Sequence, residues 1–458
     1  MFAHSIAFAS AESDVTLGTI LPVWSVIPFA GLLLSIAIIP MVFEHWWHDN
    51  KHQLLVAVAW ATPVLGYLLY LMVTNDHGLA ASAGHSLHHA LVEYISFIGL
   101  LGSLYIISGG ILLRGDLRAK PLTNLTFLAV GGVLANVIGT TGASMLLIRP
   151  MLRTNSERKH TWHIPIFFIF IVSNIGGALT PIGDPPLFLG YLRGVDFWWT
   201  FTSLWHIWVP TMALILALFY AIESYQYSRE DKSTLTRDTN LLEPMAFEGK
   251  INFVLLAGVI ASVLLLSPVQ GVHDFRAYYA REIAMGLLAG ASLLLTSSSL
   301  RQRNQFNYGP ILEVGALFIG IFVAMIPATA LLETHVAALG LTEAWQYFWA
   351  TGGLSAFLDN APTYVTFAAV SCNADPTCLS ANDLSPLMFG EGAPMLVAIS
   401  LGAVFMGAGS YIGNGPNFMV RAIAEDAGYK MPSFFGYCGY AMLFLVPLYI
   451  LVTLIFLV

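Results

Sequence analysis

Two carboxylates lie where lipid tolerates neither charge nor helix breakers: Asp184 in SNIGGALTPIGDPPLFLG (173–190) and Asp359 in LSAFLDNAPTY (354–364). A charged Asp at the bilayer centre costs about 2.5–3.5 kcal/mol on insertion scales, so each acid needs a partner. No Lys or Arg lies in these stretches or in LANVIGTTGAS (134–144) and SYIGNGPNF (410–418). What surrounds the acids instead is oxygen: hydroxyls of Thr140, Thr141, Thr180, Thr363 and Ser410, and amides of Asn360, Asn414 and Asn417. Where Gly183 and the neighbouring prolines unwind the helix, backbone carbonyls join them. Hard cations take oxygen ligands, and a proton is the other partner of a buried acid. The expectation is a site for Na+, held by Asp184, Asp359 and Asn360, or for H+, but not for both together. Asn136, Gly139, Asn174 and Pro362 would shape the hairpin tips and support those ligands. Each acid also has an ordinary reading, Asp184 as a loop turn and Asp359 as a helix N-cap.

Of 458 residues, 57% are hydrophobic and 10% charged, far below the roughly 25% charged of a soluble chain. Apolar runs of about 20 residues recur along the whole length, the signature of a membrane-spanning chain. The lipid bilayer is therefore the first partner, and a net charge of −8 argues against nucleic acid. Three cysteines make neither a disulfide scaffold nor a Cys-rich metal site. The N-terminal MFAHSIAFASAESD is a poor signal peptide, with a short apolar core and no preceding Lys or Arg. No phosphate-binding Gly-x-x-x-x-Gly-Lys-Ser/Thr loop occurs, so no ATPase engine is expected.

Basic residues favour the cytoplasmic side of short loops. They cluster at 114–120, 149–160, 223–250 and 301–303, and none occurs between Arg303 and Arg421. Only 28 residues separate 121 from 148, between two loops that both read as cytoplasmic, whereas two crossings need about 40. The segment 121–148 is thus expected to enter and turn back as a re-entrant hairpin, and 347–370 to do so from the opposite side. Full crossings fit 20–43, 53–74, 90–113, 162–192, 201–222, 251–268, 282–299, 309–331, 386–424 and 434–457, with both termini external. Arg276 and Arg281 depart from the charge rule, since the loop 269–281 would be external.

The fold class expected is an all-α polytopic membrane protein of about ten crossings and two re-entrant hairpins. It divides into halves 1–235 and 236–458, each with three spans, a hairpin, a broken helix and one span. An odd number of crossings per half makes the repeats inverted. The turns agree: Gly139-Thr140-Thr141-Gly142 faces Asp359-Asn360-Ala361-Pro362, and TPIGDPPLF (180–188) lies on SYIGNGPNF (410–418). Inverted repeats with discontinuous helices mark secondary transporters, whose ion or substrate site lies at the repeat interface. Broken backbone at membrane depth is tolerated only where it lines a cavity or is buried in protein.

With those motifs in hand, the sequence resembles the ion transporter superfamily over nearly its whole length. NIGGALTPIGDPP is similar to that family's broken-helix motif, and LDNAPT to the Asp-Asn hairpin tip of NhaD-type Na+/H+ antiporters and arsenite permeases. The resemblance implies a homodimer in a bacterial inner membrane, a scaffold holding a mobile transport domain, and elevator-like movement. It carries Asp359 and Asn360 over as ion-site residues and Asp184 as the acid of the first break. No cofactor is implied beyond Na+ and H+ as transported ions. The first hairpin tip departs from the pattern: it reads IGTTGAS, without the expected acid or amide. Members with this pattern also carry a citrate-transporter label. Related dicarboxylate carriers have Thr where this chain has Asp184, a charge that would repel a bound carboxylate unless sodium shields it.

Other features are secondary. His77, His85, His88 and His89, and His45, His48 and His52, are expected outside the spans, as solvated residues or as a pH sensor. Glu93, Glu313 and Glu391 lie within or near spans, at the interface or on a proton path. CNADPTC (372–378) would face an oxidising compartment, which allows a Cys372–Cys378 disulfide. Trp46, Trp47, Trp198, Trp199 and Trp208 fit interfacial anchors. An intramembrane aspartyl protease also needs two embedded acids, but PIGDPP lacks that family's first glycine, so no enzyme is expected.

Overall fold

The computed structural model describes residues 17–47, 49–74, 77–231, 243–266, 279–335 and 340–458. Within them the chain is helical apart from one short strand pair, and eight helices are long and apolar enough to cross a membrane. This is an all-α, multi-pass membrane protein. Asn50–Thr74 and His77–Ser108 pack against Gly309–Ala324, and His77–Ser108 also against Ala280–Leu295.

The apolar run from Pro121 does not go straight through. Gly139, at φ +77°, interrupts the Pro121–Thr154 helix, in a region where a Cβ would be penalised. There the chain folds back. A Cβ on Gly131 would lie 3.1 Å from Leu147 Cδ1, although a continuous helix would hold these residues about 24 Å apart. At the base of the fold-back, Asn124 and Asn155 exchange amide hydrogen bonds of 2.8 Å. The return arm runs on past residue 148 to Thr154, because Met151 and Leu152 keep its buried apolar face going. A second such pair of helices, Ala344–Ser355 and Asn360–Ala374, packs together across residues 356–359.

Two other helices are interrupted. His163–Ile171 gives way to a 3₁₀ turn at Ile175–Gly177, and helix resumes at Pro185–Leu192. Likewise Gly392–Met406 passes through Gly407–Gly409 before Gly415–Asp426. In both, proline opens the resumed helix; its missing N–H is harmless in a first turn and disruptive later.

Some placements differ from the sequence reading. His85, His88 and His89 lie on the His77–Ser108 helix rather than in a loop, because the Ala- and Leu-rich HGLAASAGHSLHHALVE favours helix. Arg281 is buried in the first turn of Ala280–Leu295 and pairs with Glu282 at 2.6 Å, so its charge is met inside the protein. Arg276 and His48 lie outside the described residues, as does MFAHSIAFASAESD. Trp47 and Trp208 are buried rather than interfacial. Between spans, Leu112–Asp116 pairs antiparallel with Glu243–Glu248, a small ribbon that apolar periodicity could not reveal.

Cys372 and Cys378 form a disulfide and Cys438 is free. Thiol titration of the denatured chain is expected to find one free thiol without reductant and three after reduction. Three thiols before reduction would exclude the bridge.

Candidate functional site

Asp184 ends the first break in extended backbone, directly before Pro185 and Pro186. It is buried and accepts three side-chain hydrogen bonds. Thr140 Oγ1 (2.8 Å) and Asn414 Nδ2 (2.9 Å) donate to its Oδ1, and Asn360 Nδ2 (2.5 Å) donates to its Oδ2. The donors come from three separate elements. Thr140 follows the kink at Gly139, and its own N–H donates to Gly183 O at 2.8 Å. Asn360 opens the Asn360–Ala374 helix, and Asn414 stands before Gly415–Asp426 in the same extended conformation as Asp184. A carboxylate is acceptor-only, and three donors meet much of the cost of placing it in a dry interior.

A ring of amides surrounds this centre and ties up the backbone of both breaks. Asn136 Nδ2 donates to Gly176 O (2.6 Å), while its Oδ1 accepts from Leu179 N (2.8 Å). Asn417 Nδ2 donates to Gly407 O (2.8 Å) and Ser410 O (2.9 Å), and its Oδ1 accepts from Asn174 Nδ2 (2.7 Å). Trp208 Nε1 reaches Ile175 O at 2.8 Å, and Tyr437 Oη reaches Ala408 O at 2.9 Å. The carbonyls expected to face an ion are therefore largely engaged by protein donors. Helix-breaking stretches need such donors at membrane depth.

The remaining predicted residues divide into two groups. Thr180 Oγ1 donates to Asn136 O (2.6 Å) and accepts from Gly183 N (3.1 Å), and Ser410 Oγ accepts from Ile412 N (3.2 Å), so both hydroxyls serve the turns. Asp359 caps its helix, accepting from Ala361 N at 3.1 Å, and its carbonyl accepts from Thr363 Oγ1 at 2.9 Å. It is half-buried, directly precedes the Asn360 that donates to Asp184, and lies close enough for its charge to act on Asp184, while no hydrogen bond joins the two carboxyls among the described residues. Thr141 is half-buried beside Thr140, outside the bonds to Asp184. Pro362 is buried in the first turn after Asn360.

The chemistry of the donor set suits a small cation or a proton. Asn360 Oδ1 is buried without a hydrogen-bond partner, an acceptor beside the Asp184 carboxylate. Among the described residues no Lys or Arg pairs with Asp184, and no three His, Cys, Asp or Glu side chains gather as for a transition metal. Sequence reasoning named Gly183 but missed the role of Trp208 and the close approach of Gly183 to Gly177 and of Gly413 to Gly407. A Cβ on Gly183 would come within 2.1 Å of Gly177 O, and one on Gly413 within 2.5 Å of Gly407 O. The signal was present in the equal six-residue spacing of each pair.

No curated protein matches the chain. The family model CitMHS_2, described as "Putative citrate transport", matches residues 18–457. A match of that extent, over a multi-pass helical chain with two broken helices meeting at a buried acid, shows that the chain belongs to this transport family.

Proposed function

We propose that the protein is a secondary transporter that exchanges Na+ or Li+ for H+ at Asp184. Asp359 would act as a second, separate acid at the adjacent helix cap. One observation carries the reading: Asp184 is a buried carboxylate held by three neutral donors, with an unpartnered amide oxygen beside it and, among the described residues, no cationic side chain paired with it. An ionised acid cannot cross a bilayer cheaply, whereas the same acid loaded with Na+ or H+ is neutral. Both loaded forms can then move and the empty form cannot, which makes exchange obligatory. The inverted halves, an elevator-like movement, a homodimer and a bacterial inner-membrane setting with both termini external belong to the same proposal. The family's description favours a second reading, sodium-coupled uptake of citrate. Sodium would then have to offset the repulsion between Asp184 and the substrate's carboxylates.

The test uses proteoliposomes with an acidic interior and a trapped pH dye, challenged with Na+, Li+, K+ and citrate. Sodium or lithium alone is expected to dissipate the gradient, faster as pH rises and protons compete less, and Asp359→Asn to weaken the response. Labelled citrate entering only with sodium, while the cations alone do nothing, would replace exchange by symport.

A further inference from the structure

We infer that two acid–arginine pairs, Glu93–Arg193 and Glu313–Arg421, act as alternating latches on opposite ends of the molecule, one closed here and the other open. The inference rests on the reading of the halves as inverted repeats of a transporter. Glu93, on His77–Ser108, holds Arg193 in a two-pronged ion pair of 2.6 and 2.9 Å, and both side chains are buried. Arg193 terminates the Pro185–Leu192 helix that Asp184 begins. Its Nη1 also donates to Ala381 O, and its own carbonyl accepts from Leu384 N. This contact joins a helix packed in the scaffold to one that carries the site, on the side bearing the Cys372–Cys378 loop. His89 lies 3.6 Å from Glu93 on the same helix.

The other end has the same parts, unjoined. The register that sets Gly139 on Asp359 also sets Glu93 on Glu313, in LVEYISFIG midway along His77–Ser108 and in ILEVGALFIG near the start of Gly309–Ala324. Arg421 lies on Gly415–Asp426, the helix that Asn414 begins, two positions earlier than the counterpart of Arg193. Glu313 and Arg421 both line a cavity of about 320 Å³ that reaches Tyr411 and Ile412 in the second break. Neither is spent on the other. Glu313 accepts from Gln53 Nε2 at 2.9 Å, and Arg421 pairs along its own helix with Glu425 at 3.0 Å. Gln53 Oε1, also lining the cavity, is buried without a partner. In a movement that carries the broken helices along the scaffold, closing this cavity brings Arg421 to Glu313 as Arg193 leaves Glu93. Two like pairs, one made at a time, keep the ends from opening together and balance the two states.

The cross-linking test is cargo-independent, so its failure is distinct from failure of the exchange reading. In the full chain in liposomes, with Cys438→Ser, the double variant Glu313→Cys/Arg421→Cys is treated with a short thiol cross-linker. Little cross-linking is expected with the Glu93–Arg193 pair intact. Adding Arg193→Gln should raise it about tenfold, since breaking a buried pair shifts populations by at least that factor. Where Arg193→Gln proves unstable, Glu93→Gln serves in its place. A separate charge-swapped variant, Glu313→Arg/Arg421→Glu, should recover transport that each single change loses. Cross-linking that is unaffected by the Glu93 and Arg193 changes, or a swap that fails to recover transport in a folded protein, overturns the latch.

Discussion

Asp184→Asn is expected to yield a folded protein whose sodium-driven proton movement has fallen by about 100-fold or more. Without the carboxylate a bound Na+ is an uncompensated charge at membrane depth, which costs about 2.5–3.5 kcal/mol on insertion scales, or about two powers of ten. The substitution isolates charge from shape. The Asn carbonyl can accept from Thr140 and Asn414 as Oδ1 does now. Its NH2 can donate to Asn360 Oδ1, the buried oxygen that lacks a partner, once the Asn360 amide turns over. Protonating Asp184 at Oδ2 demands the same turn, because an O–H facing an NH2 has no acceptor. A turned Asn360 presents its NH2 where the ionised state presented an oxygen, so a proton on Asp184 also removes a ligand for Na+. Asp184→Ala is the poorer experiment. It strands three donors, each a burial cost of about 1–3 kcal/mol, and mixes misfolding with lost function. Thermal unfolding of purified Asp184→Asn, run beside the pH-dye assay, separates the two. A stable variant that still exchanges sodium for protons would remove Asp184 from the mechanism.

The two acids were legible in the sequence because breakers and charge stand out against an apolar background. Their grouping was not. Asp184 and Asp359 look alike along the chain, yet one gathers Thr140, Asn360 and Asn414, while the other caps its own helix. The difference starts locally, since Asp359 has a donor at Ala361 N whereas Asp184 precedes two prolines with no N–H to cap; which distant donors then meet Asp184 is set only by the tertiary fold. The helical membrane class followed from composition, and the length arithmetic at 121–148 pointed to the place where Gly139 kinks the chain. Trp208 was misread because a tryptophan near a span end is usually an anchor; its burial depends on where the first break leaves Ile175 O unsatisfied. The Leu112–Asp116 and Glu243–Glu248 ribbon was invisible, since two short strands far apart in sequence carry no shared periodicity.

The second large effect expected is at glycines that carry no chemistry. Gly183→Ala should abolish transport, and Gly413→Ala should reduce it nearly as far, while Gly415→Ala, in the same stretch, changes little. In each break the turn closes so tightly that a glycine lies on the carbonyl of another six residues earlier. A Cβ at 183 would meet Gly177 O at 2.1 Å and Thr180 O at 3.1 Å, and one at 413 would meet Gly407 O at 2.5 Å and Ser355 O at 2.7 Å. These obstacles are backbone atoms, so no rotamer change relieves them, and overpacking costs about 1–3 kcal/mol where relief is partial. The consequence for the site is direct. Gly183 O is the acceptor that holds Thr140 N at 2.8 Å, and Gly407 O accepts from Asn417 at 2.8 Å. Pushing either turn open moves Thr140 or Asn414 away from Asp184, and misplacement by about 1 Å is enough to cost 100-fold in a positioned site. Gly415 has open space around its Cβ position, so Gly415→Ala controls for the mere loss of a glycine. Transport by the three variants, measured at matched protein amounts, checks the order. Equal activity in Gly183→Ala and Gly415→Ala would mean that the tight turns do not position the donors around Asp184.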